Sequence, residues 1–102
     1  MSRAPAAFTL ERAGASVRVA GDIGFGNAQD AVARTSELFA GGGDVTVDLS
    51  GLERADSATL GVLLIWAATA AARGVGLRFA NPPQGLRALA HLCDAEPLLG
   101  LA

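Results

Sequence analysis

Sixteen consecutive residues, Ser57 to Ala72, carry no charge, and Asp56 and Arg73 close the run at either end. A helix that crosses a bilayer needs roughly 20 predominantly apolar residues, so this run falls short. Its second half is made of small residues (Ala67, Ala68, Thr69, Ala70, Ala71, Ala72), which suit close packing inside a protein. The run therefore reads as a helix buried in a folded domain, and the rest of the chain must supply what covers it. Asp56 or Ser57 provides an N-cap, and Arg73-Gly74 provides the stop. A helix apolar on nearly all sides buries one face on its own sheet and leaves the other for a neighbour or a partner.

The flanking sequence supplies the sheet. Phe8 to Arg12 and Ser16 to Ala20 alternate on either side of Ala13-Gly14, which predicts an N-terminal hairpin with Val17 and Val19 on one face. Gly21-Asp22-Ile23-Gly24 breaks that pattern. From Asn27 onward Ala28, Ala31, Val32, Thr35, Leu38 and Phe39 follow helical spacing, and Gly41-Gly42-Gly43 ends the helix. Asp44 to Leu49 predicts a strand, with Ser50-Gly51 turning the chain. Val75 to Ala80 predicts another strand. Asn81-Pro82-Pro83 opens a last helix with Leu86, Leu89, Ala90 and Cys93 inward, and the leucines of Glu96 to Ala102 pack back on the body. The order is ββαβαβα, without linker or repeat. The expectation is a single α/β domain over residues 1–102, with a small mixed sheet that is antiparallel in the hairpin and parallel across right-handed βαβα units.

Composition then narrows the chemistry. All eight cations of the 102-residue chain are arginine, which removes Schiff-base chemistry and the lysine of a phosphate loop. One histidine (His91) and one cysteine (Cys93) cannot form a four-ligand zinc site. Two apart on a helix, they point to different sides, so no Cys–His nucleophile is expected; His91 reads as a surface residue and Cys93 as a small core residue. The glycines at 21, 24 and 26 lack the order of a nucleotide loop, and those at 41–43 follow a helix rather than a strand. With a net charge of −2 and no basic stripe, no nucleic-acid partner is expected. Met1 to Phe8 holds no apolar targeting segment, so a cytoplasmic location without direct membrane insertion is expected. No cofactor, no metal and no enzymatic activity are expected.

Several of these segments together resemble the STAS domains, the family of anti-sigma factor antagonists and of the cytoplasmic domains of sulfate transporters. The residues that carry the likeness are Val47-Asp48-Leu49-Ser50-Gly51-Leu52, Ala55-Asp56-Ser57, Leu60-Gly61-Val62-Leu63-Leu64 and, earlier, Val19-Ala20-Gly21-Asp22-Ile23. Leu77-Arg78-Phe79-Ala80-Asn81-Pro82-Pro83, with Leu86, Leu89-Ala90 and Leu92, is similar to the MlaB-type branch. Those are small subunits that bind the ATPase subunit of a phospholipid-transport ABC complex at the cytoplasmic face of the inner membrane. The resemblance implies a non-catalytic adaptor with an ABC ATPase subunit as partner, the alternative being an anti-sigma factor antagonist that binds a serine kinase. In the phosphorylated antagonists the acceptor serine is the second residue after the aspartate and precedes a glycine. Those positions here are Ala58 and Thr59, so no phosphorylation is expected at Ala58. The MlaB-like branch carries its hydroxyl directly after the aspartate, which makes Ser57 the possible site.

The expected contact region is Asp56, Ser57, Ala58, Thr59, Leu60, Leu63 and Trp66, with Arg34 of the first helix at its rim. Asp56 and Ser57 fit a polar contact point that a partner must satisfy, and equally an ordinary N-cap. Trp66, the sole tryptophan, fits an interface anchor or a core residue. Excess apolar surface on the middle helix predicts self-association without the partner.

Overall fold

The computed structural model describes residues 8–101. A hairpin, β1 (Phe8–Ala13) and β2 (Ser16–Gly21), opens the chain, followed by two short helices, α1 (Ala28–Ala33) and α2 (Thr35–Leu38). Strand β3 (Val45–Leu52), the long helix α3 (Ser57–Arg73), strand β4 (Leu77–Ala80) and helices α4 (Gln84–Leu92) and α5 (Glu96–Leu99) complete it. The sheet order is β1-β2-β3-β4, with β1 antiparallel to β2 and the two later pairs parallel. Both crossovers step in the same direction along the sheet. Right-handed connections of that kind put α1–α2 and α3 on one face. Val17, Val19, Val45, Val47, Leu49 and Phe79 face this layer and are buried with Leu63 and Trp66 in one core. Thr9, Glu11, Arg18 and Arg78 lie exposed on the alternate positions.

The long helix begins and ends where its sequence predicts. Asp56 caps it, and Gly74 in the left-handed region (φ 70) terminates it. Three other segments differ from expectation. The predicted first helix is broken at Arg34, because the Thr35 hydroxyl donates to the Val32 carbonyl at 2.6 Å and competes with the helical ladder there. Strand β3 does not turn at Ser50-Gly51; it runs on to Leu52. Between Arg18↔Asp48 and Ala20↔Gly51 it carries one more residue than β2, a bulge. Asp48 braces that bulge, its Oδ1 accepting from the Ser50 N–H at 3.0 Å and from Asn81 Nδ2 at 3.1 Å. Both bonds favour the charged carboxylate and hold the Asp48 carboxyl below its ordinary value. Gly51 is required by packing, since a Cβ there would lie 2.7 Å from the Ala20 Cβ and 2.8 Å from the Val19 carbonyl oxygen.

The third difference concerns Cys93, which is exposed and not part of the core. Helix α4 starts at Gln84, after the prolines, and stops at Leu92. Asp94 takes a positive φ of 55, and the Ala95 N–H bonds the Ala90 carbonyl at 2.8 Å. This is a Schellman turn, and it buries Ala95 in the position the helical period assigned to Cys93. In the tail, Leu99 is buried as expected, but Leu98 is 67% exposed.

Candidate functional site

The start of α3 is held by a capping box. Asp56 Oδ1 accepts from the N–H groups of Ala58 (2.9 Å) and Thr59 (3.0 Å), and Thr59 Oγ1 accepts from the Asp56 N–H at 3.1 Å. The Thr59 hydroxyl in turn donates to the carbonyl of Ile23 in the loop between β2 and α1. Where the phosphorylated antagonists have glycine, this chain therefore uses a threonine to tie two elements together. Asp56 serves as an N-cap, and its Oδ1 is fully engaged by its own helix.

The expected contact residues divide sharply by exposure. Ser57 is exposed, and Asp56 and Ala58 are half-buried at the helix start. Thr59, Leu60, Leu63 and Trp66 are buried, all but Leu60 completely, so none of the four presents its side chain to a partner. They belong to the core because the inner face of α3 lies on the sheet and on α1; Trp66 Nε1 points at the Ala31 carbonyl, 3.4 Å away. Arg34 lies at the far end of α1. Its guanidinium bonds Glu37 at 2.9 and 3.0 Å and stacks over Phe8, 5.1 Å from the ring centroid. Those two bonds raise the Arg34 pKa and lower that of Glu37, so the rim charge is already neutralised within the domain.

What α3 does present is its outer flank. An open apolar groove of about 450 Å³ runs between α1 and α3, lined by Ala28, Val32 and Ala33 on one side and Ala58, Gly61 and Ile65 on the other. Val32 and Ile65 are 37% and 44% exposed there. Beside it, a cavity of about 250 Å³ is lined by Asp22, Gly24, Phe25, Asn27, Arg54 and Asp56. Phe25, at 78% exposure the most exposed aromatic ring among the described residues, stands between Gly24 and Gly26. Phe25, Val32 and Ile65 were not expected as contacts. The helical period assigned Val32 to the core, and a lone Phe in a glycine-rich break gives no periodic signal. Exposed aliphatic residues along a groove, with an exposed ring at the neighbouring cavity, mark a surface for protein contact.

Elsewhere, His91 Nδ1 lies 2.8 Å from Glu96 Oε1, with the His91 side chain largely exposed. Among the described residues no group of three or more His, Cys, Asp or Glu is placed to hold a metal ion. No helix among them is long and apolar enough to cross a membrane.

A small mixed sheet with helices on one face and an apolar flank on the helical layer defines a protein-interaction module. The model of the family described as "Mlab, STAS domain" matches residues 6–100. The chain belongs to the STAS-domain family, whose members are non-catalytic interaction modules. No curated protein matches it. A solved structure described as "Crystal Structure Analysis of Mglu" superposes with a TM-score of 0.57 at 23% identity, over 74% of this chain and 20% of that chain. That likeness shows the shared fold, and this chain spans one fifth of the longer protein.

Proposed function

We propose that this STAS domain is a regulatory subunit that docks on the ATPase subunit of an ABC phospholipid transporter, at the cytoplasmic face of the inner membrane. The observation that carries the reading is the apolar groove between α1 and α3, whose lining includes Ala58, the residue after the exposed Ser57. Two further features support it. The matching family model is described as MlaB, and Ala58 stands where a phospho-switched antagonist needs a hydroxyl. The domain acts by binding one conformation or assembly state of the ATPase more tightly than another, because equal affinity for all states shifts nothing.

The experiment is gentle purification of the tagged protein from its own cells, with the accompanying chains identified by mass spectrometry. Recovery of an ABC ATPase, with or without its permease, is the expected result; recovery of an anti-sigma serine kinase in its place refutes the proposal. Ser57→Asp puts a charge at an exposed position next to Ala58 of the groove lining. It is expected to weaken binding of the recovered partner while leaving the domain folded, and an unchanged affinity removes Ser57 from the contact. Without partner, the same flank is expected to drive self-association, and a monomeric sedimentation profile at high concentration counts against that.

A further inference from the structure

Phe25 rides on the loop of residues 22–27, between two glycines. A ring on such a loop has many accessible positions in the absence of ties, and ordering it on docking would lower affinity. Three ties restrain it here. The Ile23 side chain is buried, 1% exposed, beneath the loop. Asn27, itself buried, bridges the loop from within, accepting at Oδ1 from the Gly24 N–H (2.9 Å) and donating from Nδ2 to the Asp22 carbonyl (2.8 Å). The third tie comes from 36 residues away, where the Thr59 hydroxyl donates to the Ile23 carbonyl.

A hydroxyl has one proton to give. The Thr59 hydroxyl has two acceptors in reach, and because it lies closer to the Ile23 carbonyl than to Asp56 Oδ1 (3.3 Å) its proton goes to the loop, while the same oxygen accepts the Asp56 N–H. We infer that Thr59 is a positioning residue, a latch inside the fold that fixes the β2–α1 loop to the start of α3 and so presents Phe25 in one place at the cavity it lines with Arg54 and Asp56. Thr59 acts on docking through Phe25 rather than by touching the partner. That consequence rests on the docking reading; the latch itself does not, and it is tested in the free protein.

The test is amide hydrogen exchange by NMR on the full chain as wild type, Thr59→Val and Thr59→Ser. In Thr59→Val the Gly24 and Asn27 amides are expected to lose about tenfold in protection beyond any loss in the β3 amides, the size of one buried hydrogen bond. Thr59→Ser keeps the hydroxyl and is expected to restore the difference. Amides of Leu60 to Leu63 should follow β3, since Asp56 still caps the helix. If Gly24 and Asn27 change only in step with β3, Thr59 is a helix cap and no latch. Should Thr59→Val fail to fold, Thr59→Ala in a stabilising osmolyte supports the same comparison. Phe25→Ala tests the other half. It is expected to weaken binding to the copurified ATPase without moving the Gly24 and Asn27 amides, so a failed docking reading leaves the latch result intact.

Discussion

Replacing Trp66 separates core from contact surface more cleanly than any other substitution in this domain. Its ring is fully buried on the inner face of α3, in the same core as Leu63, Val47 and Ala31. Truncation to alanine leaves a cavity under the helix and removes the indole donor that faces the Ala31 carbonyl. Large aromatic truncations of this kind cost about 3–5 kcal/mol. A domain of this size has roughly 5–15 kcal/mol of total stability, so Trp66→Ala removes a large share of it. The corresponding drop in Tm is on the order of 20 °C. Trp66→Phe retains most of the ring contacts and is expected to cost about 1–2 kcal/mol by the same reasoning. The assay is urea unfolding followed by far-UV circular dichroism, which does not depend on the tryptophan itself. In the wild type, Trp66 emission should resist acrylamide quenching and stay unchanged when the partner binds. If Trp66→Phe leaves stability within about 0.5 kcal/mol of wild type, the range of a surface substitution, while partner affinity falls, the assignment of Trp66 to the core is refuted.

Other substitutions probe the backbone devices around the site. Gly51→Ala drives a Cβ into the Ala20 side chain and the Val19 carbonyl, and a loss of about 1–3 kcal/mol in denaturant unfolding is expected. Asp56→Ala releases the N–H groups of Ala58 and Thr59, with an expected cost of about 1 kcal/mol read in thermal melts. The Asp48 carboxyl has its pKa lowered in the folded state, by its hydrogen bonds from Ser50 and Asn81. Its contribution to stability is therefore complete above the unfolded-state value and is lost as pH falls through the lower folded-state value. Asp48→Asn should flatten the acid limb of the stability–pH curve, and an identical limb in both proteins refutes that link.

Much of the fold was legible in the chain because local rules and tertiary packing agree there. The uncharged run between Asp56 and Arg73 became α3 with those boundaries, since an N-cap carboxylate and a left-handed glycine act within a few residues of themselves. The hairpin and the mixed sheet followed from alternation and from the placing of helices between strands. Asp48 and Gly51 stood out in the resemblance to the family, but their work as bulge brace and close-packing site appears only when β2 and β3 are side by side.

The contact surface was the part that tertiary structure decided. An all-apolar helix does not say which flank meets the sheet, and so Thr59, Leu60, Leu63 and Trp66 fell to the core while Ala58, Gly61 and Ile65 were left to line the groove. The Thr35 hydroxyl broke the predicted first helix at Arg34, Val32 stands exposed on α1, and the Schellman turn after α4 exchanged Cys93 for Ala95. Periodicity is a property of an ideal helix, and it fails where a side chain competes for a carbonyl or where the helix stops a residue early. The sequence by itself determined the elements, their order and the caps, because those depend on neighbours within a few residues. Which side chains face outward, and that Thr59 ties a loop 36 residues distant, depend on how the elements pack, and only the folded chain brings those atoms together.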